Sequence, residues 1–306
     1  AYDGDVWHGF FLQADKALGD PELRHWNVSV GHATSADLKT WRHLGTCFRP
    51  AEAPAWDDFT TWTGSVVQGD DGLWHLFYTG TSRAEDGLKQ RIGHATSRDL
   101  HDWQRVGDGL CLDLSGDRYE EYVPGGWPDR AMRDPWVMRD PAGDGWVMFF
   151  TARVPGVAEP NAAGAIGFAT SPDLMRWTLQ PPVFAGGFGQ MEVPQVLRLG
   201  GQWHGLFCTD DVHWAEATAA AMGPPVSGTH YLTADDPRGP WRIAPGPFLD
   251  PVPASGRYAA RILEAKAGPV LLGFVRDGPD GFAGVVDDPA PVRVDPGGRL
   301  SLEADA

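Results

Sequence analysis

The sequence predicts an all-β fold, a five-bladed β-propeller in a single domain spanning 1–306. Three observations predict it. First, an aromatic-rich apolar run comes round five times: "VWHGFFLQA" from Val6, "LWHLFYTGT" from Leu73, "GWVMFFTAR" from Gly145, "QWHGLFCTD" from Gln202 and "PVLLGFVRD" from Pro269. Second, three of these runs are followed by "GHATSADLKTW" from Gly31, "GHATSRDLHDW" from Gly93 and "GFATSPDLMRW" from Gly167, with a worn copy, "YLTADDPRGPW", from Tyr231. Third, Gly, Pro and Asp clusters such as "GDDG" from Gly69, "PAGDG" from Pro141 and "LGGQ" from Leu199 stand where hairpins are needed. A repeat of roughly 60 to 75 residues built from short strands and turns is the signature of a propeller.

Each blade reads in order as an inner strand, a hairpin, the aromatic second strand, the "GHATS" third strand and a "DLxxW" turn into an outer strand. Asp37, Asp99 and Asp173 recur in that turn and are expected to cap it. "ADLKTW" and "PDLMRW" resemble one helical turn, and no stretch shows sustained helical periodicity. "PNAAGA" from Pro160 and "TAAAMGPPVSG" from Thr218 read as surface loops, as does "YEEY" at Tyr119 to Tyr122. "YDGD" at the start matches the hairpins, so Asp3 and Asp5 read as turn residues. His32 and His94 occupy equivalent places and the third copy has Phe168. A residue repeated between blades is architectural. No linker separates a second domain.

The bulk properties narrow the partner. Lys and Arg number 25 against 41 Asp and Glu, for a formal net charge of −16. Nucleic acid is not expected, because phosphate binding needs clustered cations. A neutral carbohydrate tolerates this charge. Three scattered cysteines without a CxxC give neither a zinc cluster nor a disulfide framework. Cys208 reads as a small core residue. No apolar run is long enough to span a membrane. No leader peptide is visible and the reading leans to the cytoplasm, but the chain opens inside a strand-like segment. Neither cofactor nor metal is expected. Oligomeric state is not legible.

The chemistry comes from the inner strands. Counted back roughly a dozen residues from each second strand, Thr63, Asp134, Glu192 and Ala259 fall into one slot, and the slot of the first blade lies upstream of Ala1. A carboxylate in an otherwise apolar strand is costly unless it is paired or used. Inner strands surround a central funnel, so Asp134 and Glu192 are expected to converge there. Paired carboxylates supply the acid and base of glycosidic cleavage. Trp62, Trp136 and Phe188 lie near the slots, where an aromatic ring can stack on a sugar. The competing structural account pairs Asp134 with Arg133 and puts Glu192 in a salt bridge.

These segments resemble the five-bladed glycosidases of families 32 and 68, the β-fructofuranosidase and fructosyltransferase clan, more distantly related to family 43. "MRDPWV" at Met132 to Val137 is similar to the clan's Arg-Asp-Pro motif, which implies that Asp134 binds sugar hydroxyls and stabilises the transition state, with Arg133 beside it. "MEVP" at Met191 to Pro194 is similar to the "EC" motif, which implies that Glu192 is the acid/base. "TWTGSVV" at Thr61 to Val67 resembles the "WSGS" segment and implies substrate contacts for Trp62 and Ser65. "WHGFFLQA" resembles "YHLFYQ", which puts Gln13 near the nucleophile. "GHATSADLKTW" is similar to "GHAVSxDLxxW".

There are departures. The clan's nucleophilic Asp belongs to the first inner strand and is not in this sequence. "EVP" replaces "ECP". The C-terminal β-sandwich typical of family 32 is not in this sequence, and a bare propeller is more like families 68 and 43. The resemblance implies a retaining glycoside hydrolase or transglycosidase acting on furanosides, foremost β-fructofuranosides. The alternatives are an inverting family-43-like arabinofuranosidase or xylosidase, and a propeller that only binds carbohydrate.

Overall fold

The computed structural model describes residues 1–114, 117–279 and 281–303. The chain is built from five antiparallel sheets, the five blades of a β-propeller. The first has β1 (Trp7–Gln13), β2 (Ser29–Ser35) and β3 (Arg42–Phe48). The second has β4 (Thr60–Gln68), β5 (Trp74–Thr81), β6 (Arg91–Ser97) and β7 (Gln104–Leu112). The third has β8 (Arg133–Arg139), β9 (Trp146–Arg153), β10 (Gly164–Ser171) and β11 (Thr178–Ala185). The fourth has β12 (Glu192–Leu199), β13 (Gln202–Thr209), β14 (Gly228–Ala234) and β15 (Arg242–Ile243), with β16 (Asp250–Pro251) also on β14. The last has β17 (Arg257–Ala265), β18 (Gly268–Gly278), β19 (Gly281–Val286), β20 (Ala290–Val294) and β21 (Leu300–Leu302). All five aromatic runs are the expected second strands: β1, β5, β9, β13 and β18.

The chain divides into two compact units, Ala1–Pro155 with Gly167–Pro181, and Gly156–Ile166 with Pro182–Ala306. In the first unit the repeated sequence has a repeated physical cause. The ring of Phe11, Tyr78 or Phe150 on a second strand lies over Gly31, Gly93 or Gly167 on the third, and a Cβ there would come within 2.2 to 2.6 Å of the ring or a neighbouring side chain. His32 stacks on Phe10 at 4.7 Å and His94 on Phe77 at 4.5 Å, while Phe168 lies 5.2 Å from Phe149. The two histidines are architectural. His8 Nδ1 meets His32 Nε2 at 2.9 Å and its Nε2 meets Asp3 at 3.2 Å; His75 repeats this with His94 at 2.8 Å and Asp71 at 3.2 Å. Asp3 accepts from the N–H groups of Asp5 and Val6, as Asp71 does from Leu73, so it is a hairpin residue.

The "DLxxW" segment is a capped turn, as expected, and not a helical turn. Asp37, Asp99 and Asp173 each accept from the backbone two and three residues on. The following Leu38, Leu100 and Leu174 take φ of 64° to 66°, a left-handed conformation that no α-helix contains. Two loops differ from expectation. "YEEY" is anchored: Tyr119 is buried, and its hydroxyl donates to Gln180 O at 2.7 Å and accepts from Phe168 N at 3.2 Å. Glu120 pairs with buried Arg153, whose guanidinium lies 3.6 Å from the centre of the Trp127 ring. In the second unit, the segment around Thr218 holds a short α-helix, Glu216–Met222, where alanines favour helix.

Candidate active site

The first strand of each of the last four sheets bulges near its start. The pairing partners across the hairpin are Trp62 with Thr79, Arg133 with Thr151, Glu192 with Cys208 and Tyr258 with Phe274. The register shifts immediately after each of these pairs. At the shift Asp134, Val193 and Ala259 take φ of 58°, 49° and 53°. Such a backbone is uncommon for residues other than Gly, and bulges of this kind re-aim side chains. This corrects the alignment expected from sequence. Glu192 shares its slot with Trp62, Arg133 and Tyr258, and the counterpart of Asp134 is Val193. The hairpins differ in length, so counting back from the second strand misplaces the slot by a residue.

In the first unit Asp134 is buried. Its N–H donates to Thr79 Oγ1 at 2.9 Å, and that hydroxyl donates on to Thr63 O at 2.9 Å. Thr151 Oγ1 donates to Asp134 Oδ2 at 2.9 Å. Arg133 Nε lies 3.7 Å from the same oxygen, and Arg133 also faces Asp129 at 3.6 Å and Gln90 Oε1 at 3.2 Å. The expected pairing of Arg133 with Asp134 is therefore present. A carboxylate in this setting is oriented by the Thr151 hydroxyl and faces a guanidinium. Half-buried Trp62 donates from Nε1 to Thr60 Oγ1 at 2.9 Å and stacks on His25 at 5.7 Å. Gln13 ends β1, donating to Thr46 Oγ1 at 2.6 Å with His43 3.4 Å away.

Two expected sugar contacts take other work. Ser65 is buried and its Oγ accepts from Val137 N at 3.1 Å, so it latches β4 to β8. Gln195, at the equivalent register, latches β12 to β17 through the N–H and C=O of Ile262 at 2.8 and 2.7 Å. Trp136, paired with Phe149, shares this latch register rather than the slot. Phe188 is fully buried among Phe207, Trp214 and Phe248, at 5.1, 5.2 and 6.2 Å between ring centres, and offers no face to a sugar.

In the second unit Glu192 is half-buried at the head of β12. Tyr258 donates its hydroxyl to Glu192 Oε2 at 2.7 Å. Gln190 Nε2 lies 3.3 Å from the same oxygen and 3.4 Å from Asp210 Oδ2. Asp210 in turn faces His213 Nδ1 at 2.5 Å. Burial raises the Asp210 carboxyl above its ordinary range, with the negative charge of Glu192 adding and His213 opposing. Burial first, then the neighbouring negative groups, push the Tyr258 hydroxyl well above its ordinary value. Cys208 is a buried core residue, as expected, with Sγ 3.5 Å from Glu192 O. Sequence reading missed Tyr258, Asp210 and His213. Only the slot shared by Tyr258 and Glu192 signals the tyrosine, and seeing it requires the bulge register.

Residues 1–233 match the family described as glycosyl hydrolases family 32 N-terminal domain. A sucrose-6-phosphate hydrolase of Escherichia coli is 28% identical over 214 residues, covering 66% of this chain and 38% of that protein. A levanase of Bacillus sp. strain L7 is 30% identical over 186 residues, covering 55% of this chain and 18% of that protein. The chain thus spans well under half the length of either. Among solved structures, inulosucrase from Halalkalicoccus jeotgali bound to kestose superposes with a TM-score of 0.77 at 22% identity, covering 99% of this chain and 83% of that one. That likeness is one of fold. With the family match extending over most of the sequence, the chain belongs to glycosyl hydrolase family 32, through the N-terminal domain of that family.

Proposed function

We propose that the chain is the catalytic propeller of a retaining enzyme that hydrolyses or transfers β-fructofuranosyl groups. The observation that carries this reading is Glu192: a glutamate in the "MEVP" segment of a family 32 chain, placed at a bulge and hydrogen-bonded by a tyrosine. Glu192 protonates the leaving oxygen as the glycosidic bond breaks, then takes a proton from water or an acceptor sugar. Asp134, held by Thr151 and flanked by Arg133, accepts from the hydroxyls of the fructosyl ring and favours the oxocarbenium-like transition state. Trp62 and Gln13 are the remaining sugar contacts in this reading.

The nucleophile belongs to the inner strand of the first blade. Tyr2 pairs with Trp7, and Ala1 exchanges hydrogen bonds with His8. Gln68 and Val67 hold these places opposite Trp74 and His75. By that register the position matching Asp134 precedes Ala1, and an aspartate there would attack the anomeric carbon. The substrates named for the relatives, sucrose 6-phosphate and levan, make β-fructofuranosides the class to test first.

In the full-length protein, Glu192→Gln should cut kcat/KM on sucrose by roughly 10² or more. An activated aryl β-fructofuranoside, whose leaving group needs no proton, should lose far less. Asp134→Asn should slow both alike. Unchanged turnover of sucrose by Glu192→Gln removes the assignment. Tight sugar binding with no turnover in the unmutated full-length protein replaces catalysis with binding alone.

A further inference from the structure

Gln90 stands immediately before β6, and its polar groups act on one short segment, residues 129–133, which leads into β8. Its N–H donates to Arg130 O at 3.3 Å, and its C=O accepts from Arg130 Nη2 at 3.3 Å. Its side-chain Oε1 accepts from Met132 N at 3.3 Å and from Arg133 Nη1 at 3.2 Å. Its Nε2 donates to Asp129 Oδ2 at 2.9 Å. We propose that Gln90 is a positioning residue for Arg133 and Asp134: it holds the Arg133 guanidinium and the chain entering the bulge, so that the Asp134 carboxylate meets the fructosyl ring in one fixed place. The proposal rests on the reading of Asp134 as the group that stabilises the transition state, and adds a residue that does not touch the sugar in that reading.

Two physical links run from Gln90 to Asp134. The first is the backbone. Lys89 pairs with Arg130 in parallel. The N–H groups of Arg130, Met132 and Asp134 donate in turn to Leu88 O at 2.8 Å, Gln90 Oε1 at 3.3 Å and Thr79 Oγ1 at 2.9 Å. Residues 130–134 are all buried, so each of these donors needs a partner. The amide of Gln90 supplies the middle one, two residues before Asp134, whose φ is 58°. A left-handed backbone at a residue other than Gly persists only where its surroundings hold it.

The second link is the guanidinium. It is planar and carries its donors in a fixed fork, so holding Nη1 also aims Nε. That Nε lies 3.7 Å from Asp134 Oδ2. Asp129 Oδ2 lies 3.6 Å from the same Nη1 that Gln90 holds. Gln90 bonds both groups at once, accepting from Arg133 and donating to Asp129. Without it, Arg133 can close on Asp129, which carries Nε away from Asp134. A displacement of about 1 Å at a group that holds the transition state is enough for a large loss of rate.

The test measures kcat and KM on sucrose and on p-nitrophenyl β-fructofuranoside for the unmutated full-length protein, Gln90→Leu, Asp134→Asn and the double variant. Gln90→Leu should lower kcat about 10- to 100-fold, with a smaller effect on KM. The loss should be alike on both substrates, because the fructosyl ring is common to them. In the Asp134→Asn background the same substitution should lower kcat by less than about 2-fold further, since residues that act through one group are not additive. Equal factors in the two backgrounds overturn the proposal, because that pattern is what a purely structural glutamine gives. An unchanged kcat in folded Gln90→Leu overturns it too. If Gln90→Leu is not recovered folded, Gln90→Glu enters the same cycle. It keeps the shape and the acceptor for Met132 but sets another carboxylate beside Asp129 and Arg133, and should slow turnover only while Asp134 is present; equal factors or an unchanged rate there overturn the proposal. Asp134→Asn separates the two readings. If it leaves turnover unchanged, the assignment of Asp134 falls. If it slows both substrates and the Gln90 variants are additive with it, only the role of Gln90 falls.

Discussion

The histidines show how a single side chain can be chemical in type and structural in use. His94 is 2% exposed, stacked on Phe77 and bonded to His75. Burial, and then the charge on His75, lower its pKa from 6.5 to about 3. It is thus neutral in the folded protein at pH values where it is protonated in the unfolded chain. The stability it contributes is complete above pH 6.5 and is lost as pH falls toward 3. The third blade carries Phe168 at the same place, so His94→Phe is a replacement the fold already uses. Between pH 7.5 and pH 5 the unmutated protein should lose about 2 kcal/mol that the variant keeps. Urea midpoints at the two pH values measure it. A pH dependence unchanged by the substitution would show that His94 takes up its proton in the fold as readily as in the unfolded chain.

The strands explain the short motifs better than the motifs explain themselves. In "TWTGSVV" the glycine is required by the bulge after Trp62. A Cβ on Gly64 would lie 1.9 Å from Phe77 O and 2.9 Å from Tyr78 Cα, both backbone atoms of β5 that cannot yield without breaking the ladder. Gly64→Ala should therefore destabilise by about 2–4 kcal/mol, read as a lower urea midpoint. The serine of the same segment is the latch to β8. One short run thus holds Trp62, a bulge and a latch.

The molecule as a unit is acidic, with a net charge of −16 and an isoelectric point near 4.9. Its repulsion keeps copies apart at neutral pH and disappears as the carboxylates are protonated. Turbidity should peak near pH 5 and clear on return to pH 7. Clarity across that range would mean that charge is not what keeps the protein dispersed.

The number of blades, the order of their strands and the two carboxylates were legible in the sequence alone. Each strand type repeats its own pattern, and a carboxylate in an apolar strand stands out against it. Register was not legible, because hairpin length and a bulge decide it. That is why Glu192 and Asp134 seemed to share a slot, and why Ser65, Trp136 and Phe188 were grouped with them. A residue's distance along the strand says little about whether its ring is enclosed, as Phe188 is, or its hydroxyl is taken by the next sheet, as that of Ser65 is. Nor could the sequence join Tyr258 to Glu192 or Arg153 to the Glu120 loop. These pairs lie far apart along the chain, and the hydrogen bonds between them exist only once neighbouring strands have packed.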